Sequence, residues 1–236
     1  LNDFMKIVIL AGGYGSRLYE KTKHIPKPMV KIGNLPILEH IIKIFLKYGF
    51  NEFIICAGYK QKIIKEYFKK IKKNYTIKII NTGTNTMTGG RLKRIGKFLK
   101  KNENFFFTYG DGVSDVNLKK LLSFHKRKNK IATVTAVIPP GRYGVLNIKD
   151  LMVRKFSEKK RGGDGYINGG FFILRKEALD LIKNDFTVWE KEPMEKLSKN
   201  KQLAAYIHNG FWQSMDTYRD KLILDDICKS KKIPWL

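Results

Sequence analysis

Cysteine is nearly absent from this sequence. Two residues, Cys56 and Cys228, are too few for a disulfide framework and match no zinc-ligand spacing. That excludes a disulfide-stapled secreted scaffold and a structural zinc site, and it fits a reducing cytoplasm. Long apolar runs are missing as well: the stretches 7–11 and 53–57 are far too short to span a bilayer. No basic-then-apolar leader precedes the first of them, and Met5 reads as the functional start behind a four-residue extension. There is no internal repeat, low-complexity segment or linker. The 236 residues, 43% of them hydrophobic, therefore read as a single domain over 1–236 with one sizeable core. Residues 5–140 form its first part and 141–236 its second.

Acidic residues are the remaining shortage. Against 47 Lys and Arg stand 21 Asp and Glu, a net charge of +26 that by itself suggests a polyanionic partner. The excess is lysine, however, with Arg at nine positions only, and it is spread along the whole chain. Runs such as 69–73 read as solvated helix ends. A nucleic-acid surface clusters its charge and interleaves arginine with aromatics, so a lysine-biased composition is preferred here to a nucleic-acid partner, and no membrane partner is expected.

The first half alternates strands with amphipathic helices. Strands are expected at 6–11, 52–57, 77–81, 104–109 and 131–138, and helices at 36–48, 60–70, 90–100 and 118–128. This alternation predicts a parallel sheet with helices on both faces and its chemistry beyond the carboxyl ends of the strands. From about residue 141 the rhythm changes to short strands at 144–148, 152–157 and 166–174. Helices at 176–183 and 188–198, a strand at 203–208 and a helix at 217–231 follow. The fold class is α/β: a Rossmann-like mixed, mostly parallel sheet flanked by helices, with a small antiparallel β lobe over the active site.

Two strand ends carry chemistry. The first strand runs into Gly12-Gly13-Tyr14-Gly15-Ser16-Arg17, where three glycines in four positions let the backbone approach an anion closely. No Gly-Lys-Ser/Thr follows, which excludes a Walker A loop, and Leu18 stands where a dinucleotide fingerprint needs a small residue. Pro26-Lys27-Pro28 stiffens the backbone around one lysine, which suits a cation held at a fixed distance from phosphates. Asp111, between two glycines after the apolar strand 105–109, is poorly suited to packing and well suited to a metal. Asp216 is the second carboxylate in prospect; it or Thr217 reads equally as the N-cap of the last helix. The four histidines, His24, His40, His125 and His208, show no metal spacing.

Leu10-Ala11-Gly12-Gly13-Tyr14-Gly15-Ser16-Arg17-Leu18 followed by Pro26-Lys27-Pro28-Met29 resembles the signature of the sugar-1-phosphate nucleotidylyltransferases. Five later segments narrow the likeness to the branch that uses CTP and glucose 1-phosphate: Met87 to Arg94, Thr108 to Val113, Pro139 to Gly144, Ile167 to Phe172, and Phe211 to Thr217. The resemblance implies transfer of CMP to glucose 1-phosphate with Mg2+ as cofactor, in a cytoplasmic homo-oligomer feeding CDP-linked deoxysugars for surface polysaccharide such as O-antigen. It implies nucleotide contacts from Leu10, Ala11, Gly12, Gly13, Tyr14, Gly15, Ser16, Arg17, Lys27, Thr86, Arg91 and Gly110. Catalytic roles fall to Arg17, Lys27 and Asp111, and the metal to Asp111 and Asp216. On the sugar-phosphate side stand Glu158, Lys159, Asn168 and Gly169, with Tyr109 and Trp212 as walls or plain core. Arg91 also reads as a helix-surface charge. Two departures stand out: the stretch between Phe68 and Thr82 is short for the family, and its Glu-Lys-Pro is Glu158-Lys159-Lys160 here. The rival readings are a nucleotidylyltransferase using another nucleotide or phosphorylated acceptor, a glycosyltransferase, whose expected Asp-x-Asp is Asp111-Gly112-Val113 here, and a non-catalytic nucleic-acid module.

Overall fold

The structure is a computed structural model and describes residues 5–18, 22–72, 74–141, 145–149, 151–157, 165–230 and 232–236. From the N-terminus, β1 (Lys6–Ala11) is followed by 3-10 turns at Ser16–Leu18 and Lys27–Met29, the short pair β2 (Lys31–Ile32) and β3 (Leu35–Pro36), and α1 (Ile37–Leu46). Next come β4 (Glu52–Ala57), α2 (Gln61–Lys70), β5 (Thr76–Asn81), α3 (Thr88–Ile95), β6 (Asn104–Tyr109), β7 (Gly112–Ser114), α4 (Leu118–Lys128) and β8 (Ala132–Val137). The remainder comprises β9 (Val145–Lys149), β10 (Met152–Ser157), β11 (Ile167–Asn168), β12 (Phe172–Arg175), a 3-10 segment at Lys176–Leu181, α5 (Glu192–Lys199), β13 (Leu203–His208), β14 (Trp212–Ser214) and α6 (Tyr218–Lys229).

Because strand side chains alternate between faces, a strand apolar at every position must be covered on both sides. β1 shows this directly. Ile7, Ile9 and Ala11 join one buried cluster with α1, α2, α4 and α6, while Val8 and Leu10 join a second with α3 and α5. The strands β6, β1, β4 and β5 pair in parallel in that order. β12 enters antiparallel between β6 and β8, and β13 extends β8 in parallel. The expected mixed, mostly parallel sheet is therefore present. Three antiparallel pairs stand off it among the described residues, β2–β3, β9–β10 and β7–β14. No helix of the described residues is long and apolar enough to cross a membrane.

Several expected elements differ. The strand expected over 166–174 is split into β11 and β12, because Gly170 and Phe171 both take positive φ and turn the chain. The helix expected over 176–183 is a 3-10 segment. The helix expected from 188 begins at Glu192, with Pro193 in its first turn, the one place where a missing N–H costs no helical hydrogen bond. The helix expected over 90–100 starts at Thr88 and tightens into a 3-10 turn at Gly96–Phe98. Arg142 to Gly144, part of the resemblance, lie outside the described residues.

Candidate active site

Four parallel strands deliver their carboxyl ends side by side, with Leu10 opposite Tyr109, Ala11 opposite Ala57 and Ala57 opposite Asn81. Beyond those ends lies a cleft of about 530 Å³. It is lined by the whole turn from Leu10 to Arg17, by Lys27, by Thr86 and Arg91, and by Tyr109 to Asp111. Every residue expected to contact nucleotide is thus on one cavity. Pro28, Met87 and Thr88, from segments quoted above, line it as well, as do Thr84 and Asn85, which were not singled out from the sequence.

The glycine-rich turn is braced from behind. The Gly12 carbonyl accepts from the Tyr59 N–H at 3.1 Å and from the Arg91 guanidinium at 3.0 Å. Arg91 also donates to Thr82 Oγ1 (2.8 Å), the Gly83 carbonyl (2.6 Å) and the Thr84 carbonyl (3.2 Å). The reading of Arg91 as a surface charge is corrected: the side chain is 3% exposed and ties the turn to the segment after β5. Its burial lowers its pKa from the usual arginine range. A Cβ on Gly12 would lie 2.1 Å from Arg91 Nη1, so glycine there is what allows the arginine to approach. Gly15 has φ +66°, and a Cβ on it would stand 2.9 Å from Lys27 Cβ. Among the described residues, no protein group accepts from the N–H groups of Gly13, Tyr14 or Gly15. Tyr14 reaches across the cleft mouth to donate to Asn85 Oδ1 at 2.6 Å.

Lys27 is the centre of the charged cluster. Its ammonium donates to Asp111 Oδ2 at 2.6 Å and to Asp216 Oδ1 at 2.9 Å, and Arg17 lies 3.1 Å from the same Asp216 oxygen. Burial works to lower the Lys27 pKa; the charge and hydrogen bonds of Asp111, then Asp216, outweigh it and hold it above the ordinary lysine value. Burial likewise works to raise the Asp216 pKa, and Lys27, Arg17 and Ser214 outweigh it to hold it below the usual carboxylate range. The two aspartates meet through the backbone. β14 pairs with β7 so that Ser214 opposes Gly112, and the Met215 N–H donates to the Asp111 carbonyl at 2.8 Å. Thr217, not Asp216, caps α6, in a reciprocal capping box with Asp220, which leaves the Asp216 carboxylate to the cluster.

This donor set fits one hard divalent cation. Two carboxylates converge, and such an ion takes its remaining oxygens from substrate phosphates and water. Among the described residues no group of three or more His, Cys, Asp or Glu forms an all-protein metal cage.

Beside the cluster stands a polar chain leading away from it. Tyr109 donates to Glu190 Oε1 at 2.5 Å and accepts from Asn168 Nδ2 at 3.2 Å, and Trp212 Nε1 donates to the Gly169 carbonyl at 2.7 Å. The other Glu190 oxygen accepts from Thr88 at 2.6 Å. Burial, then the Glu190 charge, pushes the Tyr109 pKa well above the ordinary tyrosine value. Glu190 was not singled out from the sequence. Glu158 and Lys159 lie outside the described residues.

Moving a nucleotidyl group asks a protein for positioned cations and an anion-accepting turn more than for a general acid or base. That balance of groups, at the switch end of a mostly parallel sheet, defines a nucleotide-handling α/β transferase. The chain belongs to the nucleotidyl transferase family, which it matches over residues 6–218. It is 47% identical to the glucose-1-phosphate cytidylyltransferase of Salmonella typhimurium, across 98% of each chain. It is 39% identical to the probable glucose-1-phosphate cytidylyltransferase of Bacillus subtilis, across 98% of this chain and 99% of that one. HddC from Yersinia pseudotuberculosis, solved in complex with GMP-PN, shares 27% identity and superposes with a TM-score of 0.75 over 96% of this chain and all of that one.

Proposed function

We propose that this chain transfers CMP from CTP to α-D-glucose 1-phosphate, giving CDP-glucose and pyrophosphate, with Mg2+ held by Asp111 and Asp216. The observation that carries the reading is Lys27 fixed between those two carboxylates beneath the glycine-rich turn. The choice of CTP and glucose 1-phosphate is supported by the 47% identity to the Salmonella enzyme. A phosphate oxygen of the sugar phosphate bonds to the α-phosphorus of CTP as the bond from that phosphorus to the oxygen bridging to the β-phosphate breaks. Pyrophosphate leaves, and no covalent enzyme intermediate forms.

In this reading the backbone from Leu10 to Ser16, with Thr86 and Gly110, holds the nucleotide, and Arg91 keeps the turn in shape through the Gly12 carbonyl. Lys27 steadies charge at the α-phosphate, and Arg17 follows the departing β- and γ-phosphates. Tyr109, Asn168, Gly169 and Trp212 take the sugar side, with Glu158 and Lys159 for its phosphate. The divalent ion, when bound, draws charge off the phosphates of both substrates. We extend the reading to one catalytic domain per chain and a homo-oligomer in a reducing cytoplasm, supplying CDP-linked sugars; both cysteines are free thiols, and burial pushes the Cys56 thiol up to about 12.

The test is pyrophosphate release with Mg2+ and glucose 1-phosphate, run separately with CTP, UTP, dTTP, ATP and GTP. The expected result is EDTA-sensitive release with CTP that disappears in Asp111→Ala. Silence with all five nucleotides rules out this acceptor.

A further inference from the structure

The carboxylates assigned to the divalent ion already hold a cation that belongs to the protein. Lys27 spends hydrogen bonds on both, at 2.6 and 2.9 Å, and its side chain is 9% exposed. Its backbone is fixed by Pro26 and Pro28 in a 3-10 turn, so only the four-carbon stem is left to re-aim the charge. Arg17 is the second cation, but its side chain is 72% exposed and its pairing with Asp216 is screened by water. Two carboxylates thus face two cations, and the cluster is neutral as it stands.

A divalent ion arriving alone must break the Lys27 bonds and leave a nearly buried ammonium without a partner, which is a costly state. An ion arriving with a triphosphate brings phosphate oxygens to which Lys27 and Arg17 can turn. We propose that Lys27 is the resident counter-ion of Asp111 and Asp216, competes with the divalent ion for them, and yields only when a nucleotide's phosphates replace its partners. Free metal is then held weakly, and metal and nucleotide load together. By linkage each raises the affinity of the other by the same factor. The inference rests on the reading above for what supplies the phosphates, while the competition itself depends only on the lysine and the two aspartates.

The experiment measures Mn2+ binding without nucleotide, from the free-ion EPR signal, in the wild type, Lys27→Met and Arg17→Met. Lys27→Met is expected to bind Mn2+ at least about tenfold tighter than wild type, a difference of about 1.4 kcal/mol, and adding Asp111→Asn removes the gain. Arg17→Met is expected to change little. Equal or weaker binding by a Lys27→Met protein with native circular dichroism overturns the proposal. Lys27→Gln carries the same expectation where the Met variant does not fold. A tighter Mn2+ site in the variant, with a wild type that releases no pyrophosphate from any nucleotide, upholds the competition and overturns the function proposed above. Pyrophosphate release with an unchanged Mn2+ constant does the reverse.

Discussion

Glu190 shows how one residue can join the two sides of a cleft. One oxygen holds Tyr109 at the end of β6 and the other holds Thr88 at the start of α3. A charge-assisted hydrogen bond is worth about 1.5–3 kcal/mol. Glu190→Gln is therefore expected to raise KM for glucose 1-phosphate about tenfold while moving kcat little, as steady-state kinetics with each substrate varied would show. Equal rises in KM for both substrates would mark a structural role instead. Gly15 gives a second expectation. Alanine at φ +66° and in contact with Lys27 costs about 1–2 kcal/mol, so Gly15→Ala should lower Tm by roughly 2–8 °C and weaken nucleotide binding. Lys27, Asp111 and the turn were legible in the sequence because prolines and glycines advertise them locally. The pairing of Asp216 with Asp111 was in prospect there and implied by the resemblance, but what joins them was not legible, since it is a backbone hydrogen bond and a three-residue strand pair across more than a hundred residues. Arg91 was open to misreading for a related reason: it sits in a basic helical run, and most of its acceptors are backbone carbonyls, which carry no residue signature.

At the scale of elements, α4 is locked to the sheet through His125. Its Nδ1 lies 2.8 Å from Thr133 Oγ1 on β8 and its Nε2 3.3 Å from Asn104 Oδ1 on β6. Burial first, then the charge of Arg175, pushes its pKa down to about 4. The folded protein therefore keeps this imidazole neutral in a range where the unfolded chain, at about 6.5, binds a proton. Its contribution to stability is full above pH 6.5 and is lost as pH falls toward about 4. His40, lowered by burial and bonded between the Ile32 carbonyl and the Trp235 indole, adds a loss of the same sign. Urea midpoints measured between pH 7 and 5 should fall, and fall less in His125→Asn. Phe107 packs against Tyr109, Phe172 and Trp189, and Phe107→Ala should cost about 3–5 kcal/mol in the same assay. Strands doubly buried by β-branched and aromatic residues were legible to the residue, as β1, β4 and β6 are. The pairs β2–β3 and β7–β14 were missed, because two or three residues display no period.

Across the whole molecule, the charge of +26 acts as diffuse self-repulsion. Raising NaCl from 50 to 500 mM should screen it and raise Tm by about 2–4 °C for each kcal/mol recovered; a flat or falling Tm would show that the lysines repel one another little. Light scattering tests the expected self-association, since a monomer has the chain mass of 27.4 kDa. The sheet has a further consequence, one of timing. β6 ends at Tyr109, but its second neighbour β12 begins at Phe172. With synthesis at about 5–20 residues per second, a ribosome needs roughly 3–12 s to make the intervening chain. Throughout that interval the nascent protein carries a half-built sheet whose open edge is Phe105-Phe106-Phe107, the kind of edge that recruits other chains. Slower translation through the middle of the message is thus expected to lower the yield of folded protein, which synonymous codon variants over that stretch would test, an unchanged yield showing that the edge is harmless while it waits for β12.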